Sequence, residues 1–224
     1  MPTELVIFDC DGVLVDSEII ANQIMSDYVT RHGAPMSPDD CLQHLVGLSL
    51  TSCRTRIRDL HDVDMPDTYV DDIRNLTAEA LADQVEAVPG VHDTLETLRS
   101  LAGVSVCVAS SGTPDKMALT LGRTGLDTFF DGQVFSAVSV ERGKPAPDLF
   151  LYAARQMGIA PEKAVVIEDS PYGVQGAKAA GMTALGFAGA AHMDITIAGP
   201  RLVAAGADLV YVLNDQGDAM ATDT

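Results

Sequence analysis

The chain has 224 residues, 47% hydrophobic and 21% charged, a composition that lets it bury a core and excludes a disordered chain or a disulfide-dependent miniprotein. Fourteen Lys and Arg stand against 32 Asp and Glu, a formal charge of -18, so the average surface repels nucleic acid and anionic membrane, and neither is expected as a partner. At about 150 residues per domain, the length fits one large domain or a core carrying a smaller insert.

The four cysteines, Cys10, Cys41, Cys53 and Cys107, show neither CxxC nor zinc spacing, which favours a reducing compartment. The start lacks the basic and apolar regions of a secretory signal, and no stretch approaches the roughly 20 apolar residues of a membrane span. A cytoplasmic protein, with a monomer favoured, is the expectation.

LVIFDCDG at 5–12 is a short apolar run closed by acids and glycine, the pattern of a buried parallel strand over 5–10 that opens into a loop. Residues 17–87 change to helical spacing, with turn signals at 32–40 and 62–67, and predict an inserted helical domain. TLETLRSL, VSVCVASSG, a helix from Pro114, QVFSA, APDLFLYAARQMG, AVVIEDS, GVQGAKAAG, MTALGF and ADLVYVL then alternate helix and strand. The economical fold is α/β, a Rossmann-like doubly wound parallel sheet core (1–16 and 88–224) with an inserted helical cap domain (17–87). If 5–10, 104–109, 164–168 and 183–187 are neighbouring strands, their carboxyl ends gather Asp9, Asp11, Ser110, Glu168 and Asp169 in one crevice. The insert would then act as a lid, with 14–17 and 87–90 as crossings.

Asp9 and Asp11 suit a division of labour, one attacking an electrophile and the other protonating the leaving oxygen and activating water. Alone, DxDG also makes a turn with two solvated acids. Asp169, Asp9 and a backbone carbonyl of the first loop make the hard oxygen shell that Mg2+ prefers, although an EDS turn can also lie idle at a surface. Ser110, with Ser111 and Gly112 before the helix at Pro114, offers a hydroxyl and backbone N–H groups to an anion; alternatively Ser110, Ser111 or Thr113 simply caps that helix. Lys144, one of four lysines, can neutralise charge beside Asp9 or be an ordinary loop lysine.

In the insert, Arg54 and Arg58 can share a helix face, either recognising a distal anion of a substrate or pairing with Asp59 and Asp62. His44, near Gly47, is a further substrate contact or a surface histidine. Cys10 should point away from both acids and pack in the core. The histidines lack metal spacing and no Ser-His-Asp set is visible. Neither GxGxxG nor a GKS/GKT loop follows the first strand, which excludes dinucleotide and P-loop readings.

Taken in order, FDCDGVLVDSE (8–18), VASSG (108–112), GKPAPDLF (143–150) and VIEDSPYGVQGAKAAGM (166–182) resemble the haloacid dehalogenase-like hydrolase superfamily, in its phosphatase and β-phosphoglucomutase branch with a helical cap. The resemblance covers almost the whole chain. It implies Asp9 as nucleophile, Asp11 as acid and base, Ser110 as phosphate binder and Lys144 as the charge-neutralising lysine. It further implies Asp169 as metal carboxylate with Glu168 close by, the Asp11 backbone carbonyl on Mg2+, and an aspartyl-phosphate intermediate. Dehalogenases lack an acid at the position of Asp11, and phosphonoacetaldehyde hydrolases need a cap lysine that the insert does not contain. The mutases carry a histidine where this chain reads SEIIAN and an arginine where LSL follows Gly47. The reading is therefore a Mg2+-dependent hydrolase of a small organic or sugar phosphate, its partner a small phosphorylated metabolite. The alternatives are a β-phosphoglucomutase-like phosphomutase and a noncatalytic phospholigand-binding protein.

Overall fold

The computed structural model describes residues 2–45, 48–190, 193–213 and 219–221, so the expectations that touch Gly47 lie outside it. Strands β1 (Leu5–Phe8), β2 (Ser105–Ser110), β3 (Val134–Ser136), β4 (Ala164–Glu168), β5 (Thr183–Phe187), β6 (Leu209–Leu213) and β7 (Ala219–Ala221) form one sheet in the order β3-β2-β1-β4-β5-β6-β7. All neighbours are parallel except β6 and β7. The chain winds outward from β1 to β3 on one side and from β4 to β7 on the other. The order therefore reverses beside β1, the point where such sheets leave a crevice at their carboxyl ends.

Contacts divide the chain into Met1–Asp16 with Glu86–Thr224, and Ser17–Val85. The inserted unit carries α1 (Glu18–Arg31), α2 (Pro38–His44), α3 (Leu50–His61) and α4 (Tyr69–Gln84). The sheet unit carries α5 (Val91–Ser100), α6 (Pro114–Thr124), α7 (Asp148–Met157), α8 (Pro171–Ala179) and α9 (Ile195–Ala204). Glu86 and Ala87 side with the sheet unit because the two crossings are stitched together. The Asp16 N–H donates to Glu86 O at 3.0 Å and that of Val88 to Leu14 O at 3.0 Å, while Val15 bridges Ala87 antiparallel.

All four residues of β1 are buried, as a central strand requires. Leu5 and Ile7 join Leu149 and Phe150 of α7 and Val174 of α8 in a cluster covering one face of the sheet. Phe8, of opposite parity, meets Phe130 edge-on with ring centroids 6.3 Å apart. Each such fully buried side chain stabilises the fold by roughly 1.5–3 kcal/mol. The strand stops at Phe8 rather than at 10, because the Cys10 carbonyl turns to accept from the N–H groups of Leu14 (2.9 Å) and Val15 (3.1 Å). Asp9 keeps one ladder bond, its N–H donating to Ile167 O at 3.0 Å.

The inserted unit has its own core, built on Val29, Cys41, Ile57, Met65, Tyr69 and Ile73. A capping box at Ser37 and Asp40 starts α2 inside the stretch that reads as a turn. Helix α9 was not announced by the periodicity: Gly199 and Pro200 lie within it, and Asp194 caps it by accepting from the Thr196 N–H at 2.9 Å.

Candidate active site

The pairing of Phe8 with Ile167 sets Asp9 level with Glu168, the last residue of β4. The ammonium of Lys144, supplied by the segment before α7, lies between the two carboxylates, 2.9 Å from Asp9 Oδ1 and 2.5 Å from Glu168 Oε1. It also stands 5.2 Å from the centroid of the Phe150 ring. All three groups are buried: the side chains of Lys144, Asp9 and Glu168 are 6%, 10% and 0% exposed. Burial pushes the Asp9 carboxyl up to about 6, with Lys144 opposing and Glu168 and Asp11 reinforcing the rise. Burial works against the Lys144 charge as well, but the two flanking carboxylates outweigh it and hold the ammonium above its ordinary range. Lys144 is therefore a cation at neutral pH, and Asp9 is mostly a carboxylate.

One ammonium cannot balance the acids around it. Carboxylate oxygens of Asp9, Glu168 and Asp169 lie within 4.8 Å of one another, a set of hard oxygen donors of the kind Mg2+ takes. Gly12 permits the closeness: it has φ 77, and a β-carbon there would overlap the Asp169 carboxylate. The donor set and the charge surplus both fit a divalent cation. Within the cluster, both Glu168 oxygens are engaged by the protein, Oε1 by Lys144 and Oε2 by the Ser170 N–H at 2.7 Å.

Ser170 caps α8 by accepting from the Gly173 N–H at 3.0 Å, and a β-carbon on Gly173 would overlap the Glu168 carboxylate. Helix propensity alone makes Gly173→Ala stabilising by about 1 kcal/mol. The overlap reverses the sign. We expect a lower melting temperature and impaired catalysis, both read on the purified variant; a raised melting temperature with full activity would show that Glu168 needs no fixed place.

Ser110 ends β2, 2% exposed, and its Oγ accepts from the Gly112 N–H at 3.2 Å. Ser136, its partner in β3, donates to Gly112 O at 2.6 Å and so fixes the turn from below. The helix cap falls to Thr113, which accepts from the Lys116 N–H at 3.4 Å, and Ser111 is exposed. Ser110 is thus not the cap of α6. Sequence reasoning missed Lys116, whose Nζ lies 2.8 Å from Asp11 Oδ1. The available signal was a lysine in the first turn of a helix, where the helix dipole disfavours a cation. It also missed the fork of Arg142 on Asp148 (3.1 and 2.9 Å), which ties the two ends of the Lys144 segment together.

The insert residues belong to the other unit. Arg54 donates to Met65 O at 2.7 Å and to Asp67 at 2.9 Å, and Arg58 stands 3.7 Å from Asp64. The expected pairing with Asp59 and Asp62 is therefore corrected. Asp62 is left-handed (φ 55) at the end of α3 and turns the chain back, which brings 64–67 alongside that helix. Asp59, next to Arg58 in sequence, does not face it. His44 ends α2, partly exposed. Cys10 is 1% exposed with its Sγ 3.9 Å from Thr120 Oγ1, and burial holds its thiol protonated, which suits core packing.

The sequence model for haloacid dehalogenase-like hydrolases matches residues 6–187, which includes every residue of this carboxylate and lysine cluster. The chain belongs to that family. Among solved structures, a haloacid dehalogenase-like hydrolase of Deinococcus radiodurans, described with bound phosphate and sodium, superposes with a TM-score of 0.82 at 31% identity, covering 96% of this chain and 92% of that one. The 6-phosphogluconate phosphatase of Escherichia coli is 28% identical over 190 residues, 84% of each chain. The phosphorylated carbohydrates phosphatase of Thermotoga maritima is 30% identical over 181 residues, 80% of this chain and 82% of that one. This haloacid dehalogenase-like hydrolase is a phosphatase-type enzyme acting on a small phosphate compound. Among its described residues, no helix is long and apolar enough to cross a membrane.

Proposed function

We propose that the protein is a Mg2+-dependent phosphomonoesterase that cleaves a sugar, polyol or sugar-acid phosphate through an aspartyl-phosphate. The observation that carries this reading is Asp9: a buried carboxylate at the end of the central strand, held by Lys144 and facing a set of metal donors. The names of the two phosphatase relatives support the substrate class.

The Asp9 carboxylate attacks phosphorus, and the bond from phosphorus to the leaving oxygen breaks as that oxygen takes a proton from Asp11. Water then attacks the phosphorus of the aspartyl-phosphate with Asp11 accepting its proton, which frees phosphate and restores Asp9. Ser110 Oγ, the Ser111 N–H and Lys144 Nζ hold the phosphoryl oxygens, and the Gly112 N–H, bonded to Ser110 Oγ, orients that hydroxyl. Asp9, Asp169 and the Asp11 backbone carbonyl would hold Mg2+, with Glu168 behind them. When bound, the ion offsets the repulsion between carboxylate and phosphate and orients the phosphoryl group. In the insert, the Arg54 bonds to Met65 and Asp67 favour a structural role over recognition of a distal anion.

The test is phosphate release from a panel of sugar, polyol, sugar-acid and nucleotide monophosphates, with Mg2+ and with EDTA. Release that needs Mg2+ and is fastest with the sugar-type esters is the expected result. Isomerised sugar phosphate without free phosphate would make the protein a mutase, and no turnover of any ester would make it a binding protein.

A further inference from the structure

We infer that Lys116 is a positioning residue for Asp11, fixing which of its two oxygens delivers the proton to the leaving group. The inference rests on the aspartyl-phosphate reading above. Lys116 Nζ is 2.8 Å from Asp11 Oδ1, and the two side chains are 33% and 21% exposed. The other oxygen points elsewhere. A β-carbon built on Gly112 would stand 3.4 Å from Met117 Cγ and 3.6 Å from both Asp11 Oδ2 and Ser110 Oγ, so Oδ2 borders the Ser110–Gly112 turn to which the proposed function assigns the phosphate.

An ammonium only donates hydrogen bonds, so the oxygen it touches must accept. The carbonyl oxygen of a protonated carboxyl accepts better than its hydroxyl, so the Lys116 contact at Oδ1 favours a proton on Oδ2, the oxygen that borders Gly112. There it can pass to the leaving oxygen as the bond from that oxygen to phosphorus breaks.

The backbone around Lys116 is built to hold this aim. Its N–H donates to the capping Thr113 Oγ1 at 3.4 Å, and its carbonyl accepts from Thr120 Oγ1 at 3.1 Å. A lysine in the first turn of α6 opposes the helix dipole. A single, partly buried ion pair of this kind contributes only modestly to folding. Neither local helix energetics nor overall stability accounts for a lysine there, whereas orientation of Asp11 does. Places where a sequence breaks a local rule are where functional constraint is expected.

The experiment measures kcat/KM for Lys116→Met, Lys116→Gln and Lys116→Arg on two esters: an alkyl phosphate, whose alcohol must be protonated to leave, and 4-nitrophenyl phosphate, whose phenolate leaves unaided. Circular dichroism checks that each variant is folded. Lys116→Met and Lys116→Gln should lose about 10- to 100-fold on the alkyl ester and less than about threefold on the aryl ester, with Lys116→Arg retaining most of the alkyl activity. Equal losses on both esters, or no loss on either, overturn the assignment. Asp9→Asn run alongside separates the two readings. If it releases phosphate as fast as the parent protein, the aspartyl-phosphate mechanism falls and takes this inference with it. If it is inactive while the Lys116 variants lose equally on both esters, only the role of Lys116 falls.

Discussion

Asp9→Asn should lower phosphate release by a factor on the order of 10^3 or more while leaving the protein folded and no less stable. The amide keeps the shape of the carboxylate and cannot attack phosphorus. Its effect on stability has the opposite sign from its effect on rate. In the parent protein, burial and the neighbouring Glu168 and Asp11 make the Asp9 charge costly, which is why its carboxyl is pushed up to about 6. A neutral amide relieves that repulsion. Stability at sites built for chemistry is commonly gained when the reactive group is removed. Phosphate assays and thermal melts on the same preparation check both halves, and a strongly lowered melting temperature would mean that Asp9 is chiefly a structural anion.

Lys144→Met should fail in the complementary way, losing both activity and stability. Methionine fills much of the volume of the lysine stem against Phe150 but leaves Asp9 and Glu168 buried side by side without their cation. Removing one partner of a buried ion pair costs about 3–5 kcal/mol. For a chain of this size 1 kcal/mol shifts the melting temperature by roughly 2–4 °C, so the loss should amount to about 6–20 °C. The rate should fall about 100-fold or more, as expected when a donor aimed at transition-state charge is lost. Because the two effects share a cause, adding Asp9→Asn to Lys144→Met should recover part of the stability and none of the activity. Additive losses in this double-mutant cycle would argue against direct coupling between the two groups.

The groups that sequence reading could assemble are those at strand ends. An apolar run closed by DCDG, another by SSG and a third by EDS each announce a buried strand with polar residues at its carboxyl end. A parallel sheet then brings those ends together whatever their separation in the chain. Lys144 was legible for a different reason, its scarcity in a chain poor in lysine. Contacts that depend on side-chain reach stayed hidden. Lys116 meets Asp11 from inside a helix, and nothing in its own periodicity points there. Arg54 and Arg58 find Asp67 and Asp64 only because Asp62 takes a left-handed conformation, which ordinary aspartates seldom do. The Gly199–Pro200 pair concealed α9 by imitating a loop.

The stitched crossing between 14–16 and 86–88 has a consequence for how this architecture can vary. The sheet meets the insert as two adjacent backbone segments locked to each other, whatever chain lies between them. A longer, shorter or wholly different helical cassette leaves the register of β1 with β2 and β4 untouched, so Asp9, Lys144 and Glu168 keep their places. The positions of the strand-end carboxylates and of Lys144 thus depend on the pairing of the sheet itself and not on the length of the chain inserted between the crossings.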